Sequence, residues 1–159
     1  LAVFAESLVH HCTKDEHIII VCGNNKKIYS ILKHQFRRHP NVHILGYTRQ
    51  VALLMDACDV LFTKPGGLTS TEALVKQIAT VHTAPIPGCE TKNCSFFNGH
   101  GISCFARSIP SQIRLGCSLA HDPALSSAMR QKQSLHRKPD AAYRIISLLE
   151  ELTGCPSFH

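Results

Sequence analysis

Asp59-Val60-Leu61-Phe62-Thr63-Lys64-Pro65-Gly66-Gly67-Leu68-Thr69-Ser70-Thr71-Glu72-Ala73-Leu74 carries a short apolar run through a glycine pair and straight into a helical pattern. The apolar part reads as a strand, and Leu68 to Gln77 reads as a helix. Two glycines let the backbone approach a ligand closely, and the first-turn amides of the helix behind them are unpaired donors at its positive end. That junction suits an anion the size of a diphosphate. Thr69 and Ser70 add hydroxyl donors and Lys64 a charge, although Pro65 biases Lys64 toward extended backbone. The same residues also read as a tight turn with Thr69 or Ser70 capping the helix. Glu72 is equally open: it is a dipole partner or the distal member of a capping box with Thr69, or it accepts two hydrogen bonds from a ribose diol.

Outward from this junction the chain alternates. Upstream lie a strand-like His17-Ile18-Ile19-Ile20-Val21-Cys22, then Ile28, Ile31, Leu32 and Phe36 at helical spacing. Val42 to Gly46 is the next strand, and Val51, Leu54, Met55 and Cys58 form the next apolar stripe. Downstream, Ala79 to Thr83 reads as a strand, Glu90 to Asn98 as a helix and Gly101 to Ala106 as the last strand. Such alternation predicts an α/β fold, a Rossmann-like parallel sheet with helices on both faces. After Pro110 only helices are expected, over Ser111 to Leu119, Pro123 to Lys132 and Asp140 to Leu152. Ala142, Ile145, Ile146 and Leu149 share one face of the last of these. Ligands of such sheets bind beyond the carboxyl ends of the strands, which directs attention to the loops after Cys22, Gly46, Phe62 and Thr83.

With 159 residues and 44% hydrophobic content, residues 1–159 make one domain with a real core. A net charge of +6 and a pI near 9.0 favour anionic partners. Lys26-Lys27, Arg37-Arg38 and Arg130 to Lys138 are small basic groups with no interleaved aromatics, so a nucleic-acid platform is not expected. The eight cysteines, Cys12, Cys22, Cys58, Cys89, Cys94, Cys104, Cys117 and Cys155, contain no C-x-x-C pair. They read as mostly free, buried thiols of a reducing compartment. No metal site is expected from them. Leu1 to His11 reads as the middle of an amphipathic helix with Leu1, Phe4 and Leu8 on one stripe, and without an initiator Met the chain reads as truncated upstream.

The string from Thr63 to Leu74, followed by Pro85-Ile86-Pro87-Gly88-Cys89-Glu90-Thr91-Lys92-Asn93, closely resembles the C-terminal domain of glycosyltransferase family 28. Within it the chain is most similar to the processive diacylglycerol glucosyltransferases and monogalactosyldiacylglycerol synthases, whose pattern is K-P-G-G-L-T-x-x-E-A-L and then P-x-P-G-Q-E-x-x-N. Val21 to Asn25 and Met55 to Asp59 also match, so the resemblance runs from about Ile18 to Leu149. It implies the C-terminal half of a two-domain B-type glycosyltransferase fold, a UDP-hexose donor and inverting transfer to diacylglycerol or a glycolipid. Gly66, Gly67, Leu68 and Thr69 would face the diphosphate, with Lys64 beside them, and Glu72 would face the ribose. The Tyr47 and Thr48 backbone would face the uracil, Glu90 and Asn93 would lie near the sugar, and Asn25 would join the donor site.

No catalytic base is expected in the chain. The acceptor lipid and its base would belong to a facing N-terminal domain, at the cytoplasmic face of a membrane and in peripheral association with it. There is no Asp-x-Asp motif; helix dipoles and amides would replace a metal, and no cofactor is expected. The chain departs from the pattern at Cys89, where the family has Gln, at Asn24, where Arg is common, and at Gln77 to Thr80, which lacks a proline. The domain's own first strand and glycine loop would precede Leu1, so a sheet lacking one inner strand, with unpaired edges, is expected. Two related functions stand beside this one: a donor-binding subunit with a separate acceptor partner, and a UDP-N-acetylglucosamine transferase domain of another branch. A redox or metal role for Cys89, Cys94 and His100 is the weakest alternative.

Overall fold

The computed structural model describes residues 1–154; Cys155 lies outside them. In chain order come α1 (Ala2–His11), β1 (Ile18–Val21), α2 (Lys26–Gln35), β2 (Val42–Leu45), α3 (Val51–Ala57), β3 (Val60–Thr63), α4 (Gly67–Lys76), β4 (Ala79–His82), α5 (Thr91–Gly99), β5 (Cys104–Phe105), α6 (Ile109–His121), α7 (Pro123–His136) and α8 (Ala141–Thr153). Local chemistry sets several of the starts. Asn25 caps α2 by accepting the Ile28 amide at 3.0 Å. Ser108 caps α6 by accepting the Ser111 amide. Asp122 caps α7 by accepting the amides of Ala124 and Leu125, with Pro123 in the first turn where a missing N–H costs nothing.

All strand pairs are parallel, as the alternation predicts, but the single sheet expected from it is two. β1 pairs with β2, Ile18 opposite Val42, and β3-β4-β5 form a second sheet with Val60 opposite Ala79 and Val81 opposite Cys104. β1 and β3 each keep one edge without a strand partner among the described residues. The last strand is also shorter than the predicted Gly101 to Ala106. The Ile102 amide turns back to the Phe97 carbonyl at 3.1 Å, and Gly101 is left-handed at φ +64°, so the chain is still leaving α5 where the strand was expected.

Two main cores result. Ala5 of α1 packs with Ile18, Ile20, Leu32, Val42 and Ile44 around the first sheet. Ala79 and Val81 of β4 pack with Leu119 of α6 and Met129 of α7. Because side chains alternate along a strand, His82 points to the opposite face, against Ser70 of α4 and Phe97 of α5. The second sheet is therefore covered on both faces. Gln133 of α7, fully buried, clamps it by donating to the carbonyls of Ile78 at 2.9 Å and Ile102 at 3.0 Å.

The two sheets are joined through α1 and α6 rather than by a ladder. Phe4 meets Phe62 edge to face at 5.2 Å, and Glu16 pairs with His121 at 2.8 Å. The predicted apolar face of α8 has no counterpart within the described residues: no residue of that helix is buried, and Ile145, Ile146 and Leu149 are all more than half exposed. No described helix is long and apolar enough to cross a membrane.

Candidate functional site

The glycine junction sits at the carboxyl end of β3. Gly66 is the N-cap of α4, with φ −72° and ψ 145°, and its carbonyl accepts the first helical bond, from the Ser70 amide at 3.1 Å. The amides of Gly67, Leu68 and Thr69 meet no acceptor among the described residues, and Gly67 and Leu68 are exposed. Neither glycine is demanded by the chain's own conformation. Their φ values are not positive, and an added Cβ would meet nothing nearer than Glu90 Oε1 at 3.7 Å or Asn93 Nδ2 at 4.0 Å, both ordinary contacts. The bare backbone instead leaves three convergent donors open to approach.

Three interactions hold this junction still. The Thr83 amide donates to the Thr63 carbonyl at 2.8 Å, tying the loops after β3 and β4 together. Asn93, in the first turn of α5, donates its side-chain amide to the Pro65 carbonyl at 3.1 Å. Pro65 itself is fully buried. Glu90 is the N-cap of α5; its carboxylate accepts the Ile86 amide at 2.8 Å, and its own amide donates to the Ile86 carbonyl. The helix begins one residue later than predicted, and the Glu90 amide is spoken for. Gly88, at φ +83°, makes the turn before it that a side chain would strain.

The sequence-predicted residues distribute as follows. Glu90 and Asn93 are brought against the Gly66-Gly67 loop, half-buried, and Glu72 is exposed on the second turn of α4 with no hydrogen-bond partner among the described residues. Lys64 is exposed. Thr69 does not cap α4, because Gly66 occupies that position. Ser70 is corrected outright: it is 2% exposed and its hydroxyl bonds His82, so it offers nothing to an external anion. Asn25 spends its side-chain oxygen on the α2 cap, which leaves its amide group for other partners. Tyr47 is 64% exposed and lines a cleft of about 500 Å³ with Gly23, Asn24, Lys26, Tyr29 and Gly46, beyond the carboxyl ends of β1 and β2. Thr48 accepts the Gln50 amide at 3.0 Å and shapes the turn into α3.

Sequence reasoning missed His82 and Ser103. His82 is fully buried, with Nε2 3.0 Å from Ser70 Oγ and Nδ1 3.0 Å from Ser103 Oγ. Burial lowers its pKa to about 4, against a weaker upward pull from Glu90. The available signal was a polar ring inside the strand pattern Ala79 to Thr83.

Among the described residues no three His, Cys, Asp or Glu side chains gather to hold a metal. Seven cysteines there are free. Cys22 and Cys94 are buried and Cys89 is exposed; burial pushes the Cys12 thiol up to about 11, with Glu16 and Cys117 adding to the effect.

No protein-family model matches the chain. It is 35% identical over 125 residues to a processive diacylglycerol beta-glucosyltransferase of Staphylococcus carnosus (strain TM300), covering 78% of this chain and 32% of that protein. The protein of the same name from Staphylococcus saprophyticus is 32% identical over 142 residues, covering 89% and 36%. The chain thus spans about a third of the length of these relatives. Among solved structures, MurG of Acinetobacter baumannii has a TM-score of 0.74 at 18% identity, over 94% of this chain and 46% of that one. WaaG, a glycosyltransferase involved in lipopolysaccharide biosynthesis, has 0.67 at 17%, over 97% and 44%. At these identities the structural likeness shows the fold, that of the glycosyltransferases.

Proposed function

This chain belongs to the glycosyltransferase family of the processive diacylglycerol beta-glucosyltransferases, and we propose that it is the UDP-sugar-binding domain of an inverting hexosyltransferase acting on diacylglycerol or a glycolipid. One observation carries the reading: Gly66 and Gly67 have room for side chains they do not have, beside three amides that meet no acceptor among the described residues. The diphosphate sits on the amides of Gly67, Leu68 and Thr69, with Lys64 supplying charge, and Glu72 takes the ribose diol. The Tyr47-Thr48 backbone and Asn25 border the uracil, and Glu90 and Asn93 border the hexose.

Inversion by direct displacement forms a bond from the acceptor oxygen to the sugar's anomeric carbon and breaks the bond to UDP. A base takes the acceptor's proton, and the negative charge that develops on UDP meets the helix amides. We assign the base and the lipid site to a facing domain outside residues 1–159, and that assembly to a membrane surface on the cytoplasmic side. We assign the strand missing beside β1 and β3 to this UDP-sugar-binding domain itself, outside residues 1–159.

Calorimetric titration with UDP tests the reading. Gly67→Asp adds a carboxylate beside the free amides at a position with space for it. It should abolish UDP binding while leaving the far-UV circular dichroism unchanged; unaltered affinity refutes the diphosphate assignment. The chain alone should transfer no sugar. Turnover of about 1 s⁻¹ or faster would place the base within it.

A further inference from the structure

A single imidazole joins the helix that carries the glycine junction to the far side of its sheet. His82 ends β4, the central strand, and both ring nitrogens are engaged: Nε2 with Ser70 of α4, Nδ1 with Ser103 just before β5, each at 3.0 Å. The Phe97 ring stands edge-on at 5.5 Å. All three partners of the network are buried, at 0% to 2% exposure. Ser70 is one turn into α4, and its amide closes the first helical bond to Gly66. Whatever holds the Ser70 side chain therefore holds the direction of the three amides ahead of it.

An apolar side chain would fill this strand position without the cost of desolvating two polar atoms. The ring instead satisfies both nitrogens with hydroxyls, and it stays neutral at neutral pH because burial disfavours its charged form. In the neutral ring one nitrogen accepts from a serine and the other donates to a serine, so the pair of bonds fixes the ring plane as well as its place. Asn93 grips the loop from α5 through the Pro65 carbonyl; His82 grips the following helix from beneath.

We propose that His82 is a positioning residue for the donor site: braced by Ser103, it anchors Ser70 and thereby aims the first-turn amides of α4 at the diphosphate. The proposal rests on the donor-site reading above. His82 touches no ligand itself.

Two substitutions separate its two bonds. The terminal atoms of Gln reach as far as Nε2, and those of Asn only as far as Nδ1. His82→Gln therefore keeps the bond to Ser70, and His82→Asn keeps only that to Ser103. Hydrogen exchange without ligand, and titrations with UDP and with uridine, are made on the wild-type chain, both variants and Ser70→Ala. Expected are faster exchange at the amides of Ser70 to Ala73 and a roughly tenfold weaker UDP affinity in His82→Asn and Ser70→Ala. His82→Gln, which keeps the Ser70 bond but gives up the Ser103 brace, should fall between wild type and His82→Asn, and uridine, which lacks the diphosphate, should bind all four proteins alike.

Equal exchange in all four, parallel losses for UDP and uridine, or equal losses in the Gln and Asn variants overturns the proposal. A wild-type chain indifferent to UDP overturns the donor reading, and exchange at Ser70 to Ala73 then decides the anchoring alone. If His82→Asn does not fold, Ser70→Ala removes the same bond and carries the comparison.

Discussion

Asn93 donates its side-chain amide to the carbonyl oxygen of Pro65 at 3.1 Å, a bond that crosses from the first turn of α5 to the residue before the glycine pair. The family resemblance puts Asn93 near the sugar, and one of its donors is spent on the loop. We predict that Asn93→Ala weakens UDP as well as UDP-hexose, by about 0.5–1.5 kcal/mol, the net value of one hydrogen bond. Calorimetry with both ligands checks this, and unchanged UDP affinity would make Asn93 a sugar contact only.

Glu72 stands exposed on α4 with no hydrogen-bond partner among the described residues, so its removal should cost the fold little. If it accepts from the ribose diol, Glu72→Ala loses about 1.5–3 kcal/mol of UDP affinity, the scale for hydrogen bonds to charged groups. A control with a deoxyribose nucleotide should show a smaller loss. Equal UDP affinity in a folded variant ends the ribose assignment.

Cys89 is exposed and free, beside Glu90 at the start of α5. A thiol is a poor hydrogen-bond partner, whereas the amide of Gln both donates and accepts. Cys89→Gln should strengthen UDP-hexose binding and leave UDP itself unchanged. Parallel changes in the two ligands would show that position 89 does not reach the sugar.

Stability should fall with acid before the carboxylates titrate. Burial lowers the folded pKa of His82 to about 4, against an ordinary 6.5, so between these values the unfolded chain holds the extra proton and folding weakens as pH drops. Above the ordinary value this contribution is fully favourable. Urea titrations from pH 7 to 4.5 should show a slope of up to about 1.4 kcal/mol per pH unit from this one ring. His82→Leu should flatten that slope; an unaltered slope would mean the ring is not the source. Glu16 adds a second acid-sensitive point at lower pH. The Thr13 amide and His121 hold its carboxyl below the usual range, so its contribution is present above that range and fades as pH falls further.

Gly116 of α6 faces the Phe62 ring of β3 so closely that a Cβ there would overlap the ring edge. Phe62 is held in turn by Phe4. Gly116→Ala should cost about 1–3 kcal/mol, the usual penalty of overpacking, seen as a lower urea midpoint. Adding Phe62→Leu should recover part of it, since the crowded partner is then smaller.

The elements nearest the glycine junction were legible because each carried its own signal. A short apolar run ended at Phe62, the glycines opened the turn, and the helical pattern from Leu68 to Gln77 falls within one residue of α4 at each end. Positions relying on long-range partners were not. The late start of β5 depends on Ile102 folding back to Phe97, and the role of Ser70 depends on a histidine twelve residues later in another element. Neither contact leaves a periodic trace. The division into two sheets was expressed in advance only as an expected gap in a single sheet. The exposed face of α8 was legible as apolar, but no pattern in a sequence says what will cover it.

The unpartnered strand edges, four among the described residues on β1, β2, β3 and β5, bear on assembly. β1 and β3 each offer a row of backbone donors and acceptors on the side away from β2 and β4. A second copy related by a twofold axis would pair like edges antiparallel and satisfy only one of them, leaving the others to recruit further copies. Pairing through one edge therefore does not use up the others, and self-association is not limited to a dimer. An extended segment that pairs with an edge closes it to other copies, so keeping the protein dispersed at high concentration is a problem of covering edges.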